Sequence, residues 1–246
     1  MSIVKKTKYF VKGLKEKPKY IYTDKESEKF EEYVSNHIGN FDKVYHELYS
    51  PDVHIDILLI PPTDECYYYK LITKGMGAYK MEVPNIVKNN DLDRAELVIY
   101  LPPDCNPKNI VNEYGWVIRQ LKTISRVPIE ERSWLGFGHT FSHDDEANTK
   151  FANNVNFSGM LLVDSFGKNN EELDLRLDDK GKINFYQLIP LYKEEYLYKK
   201  VNGLNALLDK FIESDVSLVV DVNRKNLCKQ INKDTIENEF EEEMTR

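Results

Sequence analysis

Between Val53 and Pro84 the chain reads as a strand, an enforced turn, a second strand and a small-residue loop. Val53, Ile55, Ile57 and Leu59 fall on one face of an extended segment, while His54 and Asp56 begin the other. Pro61-Pro62-Thr63-Asp64 withdraws two main-chain donors in succession, so no central strand runs through it. Cys66 to Thr73, rich in Tyr and Ile, suits a second half-buried strand. Thr73-Lys74-Gly75-Met76-Gly77 then supplies two glycines, which open backbone conformations closed to other residues. The prediction is a hairpin ending in a tight loop, and a hairpin needs more structure to bury it.

That structure is a mixture of helices and strands. Thr23 and Glu26 are spaced as a capping box ahead of Phe30, Tyr33, Val34, His37 and Ile38, with Gly39 closing the helix. Strands are predicted over Lys43 to Tyr49 and Arg94 to Leu101, the latter setting Arg94 and Glu96 on one face. Asn106-Pro107 opens a helix carrying Ile110, Tyr114, Val117, Ile118, Leu121 and Ile124, with Gly115 as a break or bend. Short strands are expected at Phe137 to Phe141, Met160 to Val163 and Leu173 to Leu177, and a clearer one at Ile183 to Ile189. Pro190 is read as opening a helix, Gly203 as dividing it from a second, and Val216 to Val222 as a final buried strand. Strands interleaved with helices, without strict alternation, give an α+β fold: a mixed, mostly antiparallel sheet flanked by helices, in a single domain over residues 24–226. Residues 1–23 form a basic leading segment and 227–246 an acidic tail.

Composition narrows the function. A net charge of −7 argues against a nucleic-acid binder; the basic start and acidic end read first as solvated termini, and alternatively as an acidic surface that steers a basic partner. No apolar run approaches the roughly 20 residues that span a bilayer, and the lysine-rich start lacks the apolar core of a secretory signal. Cys66, Cys105 and Cys228 are odd in number and far apart, which fits reduced thiols in a cytoplasm.

Catalytic signatures are missing: no phosphate-binding glycine loop, no nucleophile elbow, no His-Glu-x-x-His. His54 and Asp56 share a strand face, and His139 and His143 lie near Asp144 and Asp145. Either pair alone falls short of a metal site, and only their convergence would make a metal-dependent hydrolase. Glu194 and Glu195 suit the first turn of a helix, and Asp221 with Arg224 reads as a charged strand-end pair. No cofactor is implied.

The order of these segments resembles the suppressor of fused family in its compact bacterial form. The resemblance runs through His54-Ile55-Asp56-Ile57, Pro62-Thr63, Leu71 to Gly77, Lys80 to Pro84 and Arg94 to Pro102. It continues through Leu121-Lys122, Arg126-Val127-Pro128, Gly138-His139-Thr140, Leu188 to Glu195 and Asp221 to Arg224. It implies an α+β protein-binding domain without catalytic residues, whose animal relative holds a transcription factor by strand addition. Bacterial members look like immunity proteins that neutralise a toxin domain, often a nuclease. The expected partner is then a cognate toxin domain, with no nucleic acid and no membrane involved. The alternative is a scaffold that captures a peptide by strand addition. Family-pattern residues are expected to be structural: His54, Asp56, Thr73, Gly75, Met76, Arg94, Glu96, His139, Glu194, Glu195, Asp221 and Arg224. Surface candidates for the partner are Trp134, Asp144, Asp145, Glu146, Glu171 and Glu172.

Overall fold

In a computed structural model of the chain, the predicted hairpin forms two neighbouring strands well inside a sheet. The structure describes residues 18–50, 52–106, 110–165, 175–177 and 180–229. The predicted helix opening at Pro107, the strand positions Leu173 and Asp174, and most of both charged termini therefore lie outside the described residues.

Seven strands share one sheet in the order β1-β2-β3-β4-β9-β6-β5. They are β1 (Lys43–Tyr45), β2 (Asp56–Ile60), β3 (Tyr69–Lys74), β4 (Ala95–Leu101), β5 (Thr140–Ser142), β6 (Phe157–Asp164) and β9 (Asn184–Tyr192). The pairs β1/β2, β2/β3, β3/β4 and β5/β6 are antiparallel, whereas β4 and β9 run parallel with Ala95 opposite Asn184. A second small ribbon joins β7 (Arg176–Leu177) to β8 (Gly181–Lys182). The helices are α1 (Asp24–His37), α2 (Ile110–Glu113), α3 (Gly115–Ile124), α4 (Val127–Glu130) and α5 (Lys193–Glu213). This is the mixed, mostly antiparallel α+β architecture that the segment order predicts.

The chain packs as two compact units. The first runs up to Phe137 and resumes over Val163–Gln187. Its strands β2 and β4 are buried at every position, on both faces. The alternation at Val53 to Leu59 thus marks one buried face of two, and the other is filled by Leu58, Ile60 and a satisfied Asp56. Cover comes partly from α1, where Phe30 and Tyr33 lie against Phe185 at ring separations of 6.2 and 5.8 Å. Cover also comes from α3, which lays Trp116, Val117, Leu121 and Ile124 into the core and packs on β4. Each such side chain contributes roughly 1.5–3 kcal/mol on burial. The capping box forms as predicted, with Glu26 N–H donating to Thr23 Oγ1 and Thr23 N–H to Glu26 Oε2. Gly115 is indeed a break: Tyr114 leaves the helical conformation and separates α2 from α3.

The second unit comprises Gly138–Leu162 and the chain from Leu188 onward. Here α5 lies along its own strand neighbours, with Tyr196 against Gly159: a Cβ on that glycine would stand 3.1 Å from the Tyr196 ring. Gly203 divides the helix as expected, with φ 83° inside an otherwise helical run.

Several expectations are overturned. Pro190 opens no helix; it lies within β9, and α5 starts at Lys193. A proline is tolerated there because the ladder with β4 extends only from Asn184 to Gln187, so no bond to β4 is lost at position 190. Val216 to Val222 forms no strand: α5 ends in a turn with Asp215 at φ 48°, and of these residues only Val220 is buried. The β1 strand stops at Tyr45 instead of Tyr49, because Glu47 and Ser50 turn inward to make hydrogen bonds.

Candidate functional site

Glu96, fully buried on β4, organises the loop after the hairpin. Its carboxylate accepts four hydrogen bonds: from Tyr22 Oη (2.7 Å), Thr73 Oγ1 (2.6 Å), Gly75 N–H (2.9 Å) and Gly77 N–H (3.0 Å). Burial pushes this carboxyl's pKa up, while the four donors pull the other way. Arg94, two positions earlier, does not meet Glu96. Its Nη1 donates to the carbonyls of Gly77 and Ala78 at 2.7 and 3.1 Å. One side chain takes the loop's N–H groups and the other its carbonyls. Gly75 sits at φ 122°, where a Cβ would stand 2.0 Å from the His54 carbonyl oxygen. Met76 is buried beneath. The loop is held through both its N–H groups and its carbonyls.

His54 and Asp56 belong to a second network. His54 Nε2 lies 3.1 Å from Asp56 Oδ1, and His54 Nδ1 lies 2.7 Å from Ser50 Oγ. A serine, a histidine and an aspartate in that order invite comparison with a hydrolytic triad. The hydrogen bonds argue otherwise. With the Ser50 proton directed to Glu47 Oε2 (2.9 Å), His54 donates from Nδ1 to Ser50 and from Nε2 to Asp56. In that arrangement both ring nitrogens act as donors, which leaves no lone pair for a general base. The pKa of His54 is raised, chiefly by the Asp56 hydrogen bond. Burial alone would raise Asp56, but His54, the Glu47 N–H and His46 together hold it at about 2. Glu47 is tied in turn to Arg126, whose Nη2 donates to its two carboxylate oxygens at 2.6 and 2.7 Å. Nothing in the local sequence marks Glu47, Ser50 or Tyr22 for these roles. Their partners are set by the fold, from 3 to 79 positions away in the chain.

In the second unit, Arg224 pairs with Glu195 rather than with Asp221. The guanidinium takes both oxygens of the fully buried Glu195 carboxylate, plus the Pro190 carbonyl at 2.8 Å. It lies over the rings of Tyr192, Phe157 and Phe211 at 4.8 to 5.5 Å. Glu195 also accepts the Tyr192 N–H, capping α5. Glu194 is bound to Asn226 Nδ2 at 2.6 Å, and Asp221 Oδ1 accepts the Asn223 N–H at 2.8 Å. These residues staple the irregular segment 221–228 onto the start of α5.

The remaining surface candidates divide. Asp144 organises its own loop, accepting the N–H groups of Glu146, Asn148 and Thr149; those bonds, that from Asn148 foremost, hold its pKa at about 2. Asp145 and Glu146 are exposed beside it, and Trp134 is half-buried with its ring over Gly136. Glu171 and Glu172 lie outside the described residues. The ring of His143 stands edge-on to Phe141 and Phe151, at 5.4 and 5.5 Å. Among the described residues, no group of three or more His, Cys, Asp or Glu could hold a metal.

The edge strand β5 carries a feature that sequence patterning passes over. Gly138 N–H donates to Leu162 O (2.8 Å) and Leu162 N–H to His139 O (2.9 Å), so two residues oppose one. With Gly138 at φ 81°, this is a glycine-type bulge. Alternation from there puts Phe141 in a bonded pair with Met160 and turns the main-chain groups of Thr140 and Ser142 away from β6. As β5 ends the strand order, those groups form a short open edge. Gly136-Phe137-Gly138 is the signal for it, a glycine where a strand is starting.

Known proteins share this architecture. The family model described as "Suppressor of fused protein (SUFU)" matches residues 51–225. An uncharacterized protein of Ureaplasma parvum serovar 3, UU111, is 28% identical over 217 residues, covering 85% of this chain and 99% of that protein. Among solved structures, a putative SUFU homolog from Neisseria gonorrhoeae superposes with a TM-score of 0.59 at 16% identity, covering 85% of this chain and all of that one. A chain of the Sufu-Fu complex gives 0.54 at 11% identity, covering 86% and 93%. The matched span takes in the buried clamps at Glu96 and Arg224 and the bulged edge at β5, and the chain belongs to the suppressor of fused family.

Proposed function

We propose that this chain works by binding a protein, without chemistry of its own, and that its partner is a toxin domain which binding neutralises. The observation that carries the binding reading is the open edge at Thr140 and Ser142 in a fold of this family. An unpaired strand edge supplies main-chain donors and acceptors that an extended partner segment completes. One structural neighbour is a chain of the Sufu-Fu complex, a protein–protein assembly, which supports the same class of function. The charge of −7 supports a basic partner, since complementary fields speed encounter. A cationic nuclease domain fits that requirement. The inward commitment of His54, Asp56, Glu96 and Arg224 to framework bonds supports a non-enzymatic role.

The test is co-expression with the toxin domain encoded beside the gene. The reading expects a stable complex on size exclusion and restored growth of cells making the toxin. Neither a complex nor protection would sink it. A second reading, capture of an extended peptide from a regulatory partner, is favoured by the β5 edge alone. It expects the chain to bind a short unfolded peptide more tightly than any folded toxin domain.

A further inference from the structure

The second unit contains a polar cavity of about 930 Å³ whose character runs against the charge of the chain. Lys150, Lys193, Lys225 and Lys229 line it, with Glu194 as the facing carboxylate. Arg224 also reaches the wall, but its charge is answered by Glu195. The ammonium groups of Lys150 and Lys193 are held by the side-chain carbonyls of Asn156 and Asn148, neutral acceptors that position a charge without cancelling it. Lys225 and Lys229 form no ion pair among the described residues.

A further observation points to a ligand. Ser158 lies in the wall, 1% exposed, and its hydroxyl has no hydrogen-bond partner among the described residues. A buried hydroxyl left unpaired costs about 1–3 kcal/mol, so such a group calls for something to bind.

The walls define the chemistry. Lysines, amides and a hydroxyl suit an oxyanion, and lysine binds phosphate as a point charge. The one aromatic ring, Tyr192, already carries the Arg224 guanidinium 4.8 Å from its centroid. The size is that of a small-molecule site, commonly about 300–1,000 Å³. We propose that this cavity binds a small phosphate-bearing molecule, recognised through its phosphate by Ser158 and the lysines.

Calorimetric titration of the full chain with orthophosphate, pyrophosphate and ATP tests this, with a poly-glutamate peptide at matched ionic strength as the contrasting arm. The proposal expects at least one phosphate ligand to bind with a Kd below about 1 mM. It also expects the double variant Lys225→Ala, Lys229→Ala to weaken that binding tenfold or more. Both lysines are exposed, so the variant's unliganded melting temperature should match the parent. Ser158→Ala should weaken phosphate binding while leaving the melting temperature unchanged or higher. Equal binding of orthophosphate and ATP would mean that the phosphate alone is read; tighter ATP binding would mean that the nucleoside is also contacted. Both support the site. No binding by any phosphate ligand, indifference to the lysine pair, or tighter binding of the peptide than of every phosphate would overturn it.

Discussion

A buried carboxylate with four donors is a strong structural tie only while every donor keeps its acceptor. Glu96 meets Tyr22, Thr73, Gly75 and Gly77 in that way. Glu96→Gln presents an N–H₂ group to partners that are themselves donors, so it should destabilise the fold by at least about 2 kcal/mol in urea unfolding. Thr73→Val, which loses one bond to Glu96 and the acceptor for Leu97 N–H, should cost less. His54 and Asp56 give a pH signature. Asp56 is lowered from 3.8 to about 2, so its contribution is present above 3.8 and is lost as pH falls toward 2. His54 is raised above 6.5, so its contribution is present below 6.5 and is lost as pH rises through the raised value. Both are therefore complete only between 3.8 and 6.5. An NMR titration should place His54 above 6.5, and Asp56→Asn should lower it; a His54 value unmoved by that change would contradict the network. At this scale the sequence shows which residues are unusual but not whom they meet. Arg94 and Glu96 share a strand face as alternation requires, yet they clamp a loop instead of pairing. Arg224 finds Glu195, 29 positions away, instead of nearby Asp221. Partner choice is a property of the packed chain.

Elements were legible where a local cause fixes them and illegible where the fold supplies the cause. The capping box of α1, the break at Gly115 and the division at Gly203 each arise from one or two residues, and all three are present. Pro190 misled because a proline usually opens a helix or ends a strand, and only the limited reach of the β4 ladder lets it stay in β9. Val216 to Val222 is apolar enough for a strand but lacks a ladder to join. Gly75→Ala tests the loop at this scale. A Cβ there meets main chain, which cannot rotate aside, so the loss should be about 3 kcal/mol or more. Gly203→Ala meets open space and should cost only the strain of its backbone conformation, about 1–3 kcal/mol. At β5, Thr140→Pro removes an N–H that points away from β6, so thermal stability should hardly change. Binding through the edge should fall tenfold or more. Lost stability with unaltered binding would place the partner elsewhere.

For the whole chain, fold and family follow from the order of segments between Val53 and Arg224, whereas the binding surface does not. A fold depends on its own internal ties; an interface answers to its partner. The candidates Asp145 and Glu146 remain exposed and available, while Asp144 is engaged in holding their loop. An acidic chain meeting a basic partner should associate more slowly as salt rises, by about tenfold between low and high ionic strength, with a smaller change in dissociation. The central claim is that this protein acts by holding another protein. The affinity of the purified chain for the toxin domain proposed as its partner, measured alongside that domain's activity, is the decisive measurement. The account predicts a Kd in the nanomolar range or below, with the activity abolished at one equivalent. A toxin left active under saturating amounts of the chain, with no detectable complex, would contradict it.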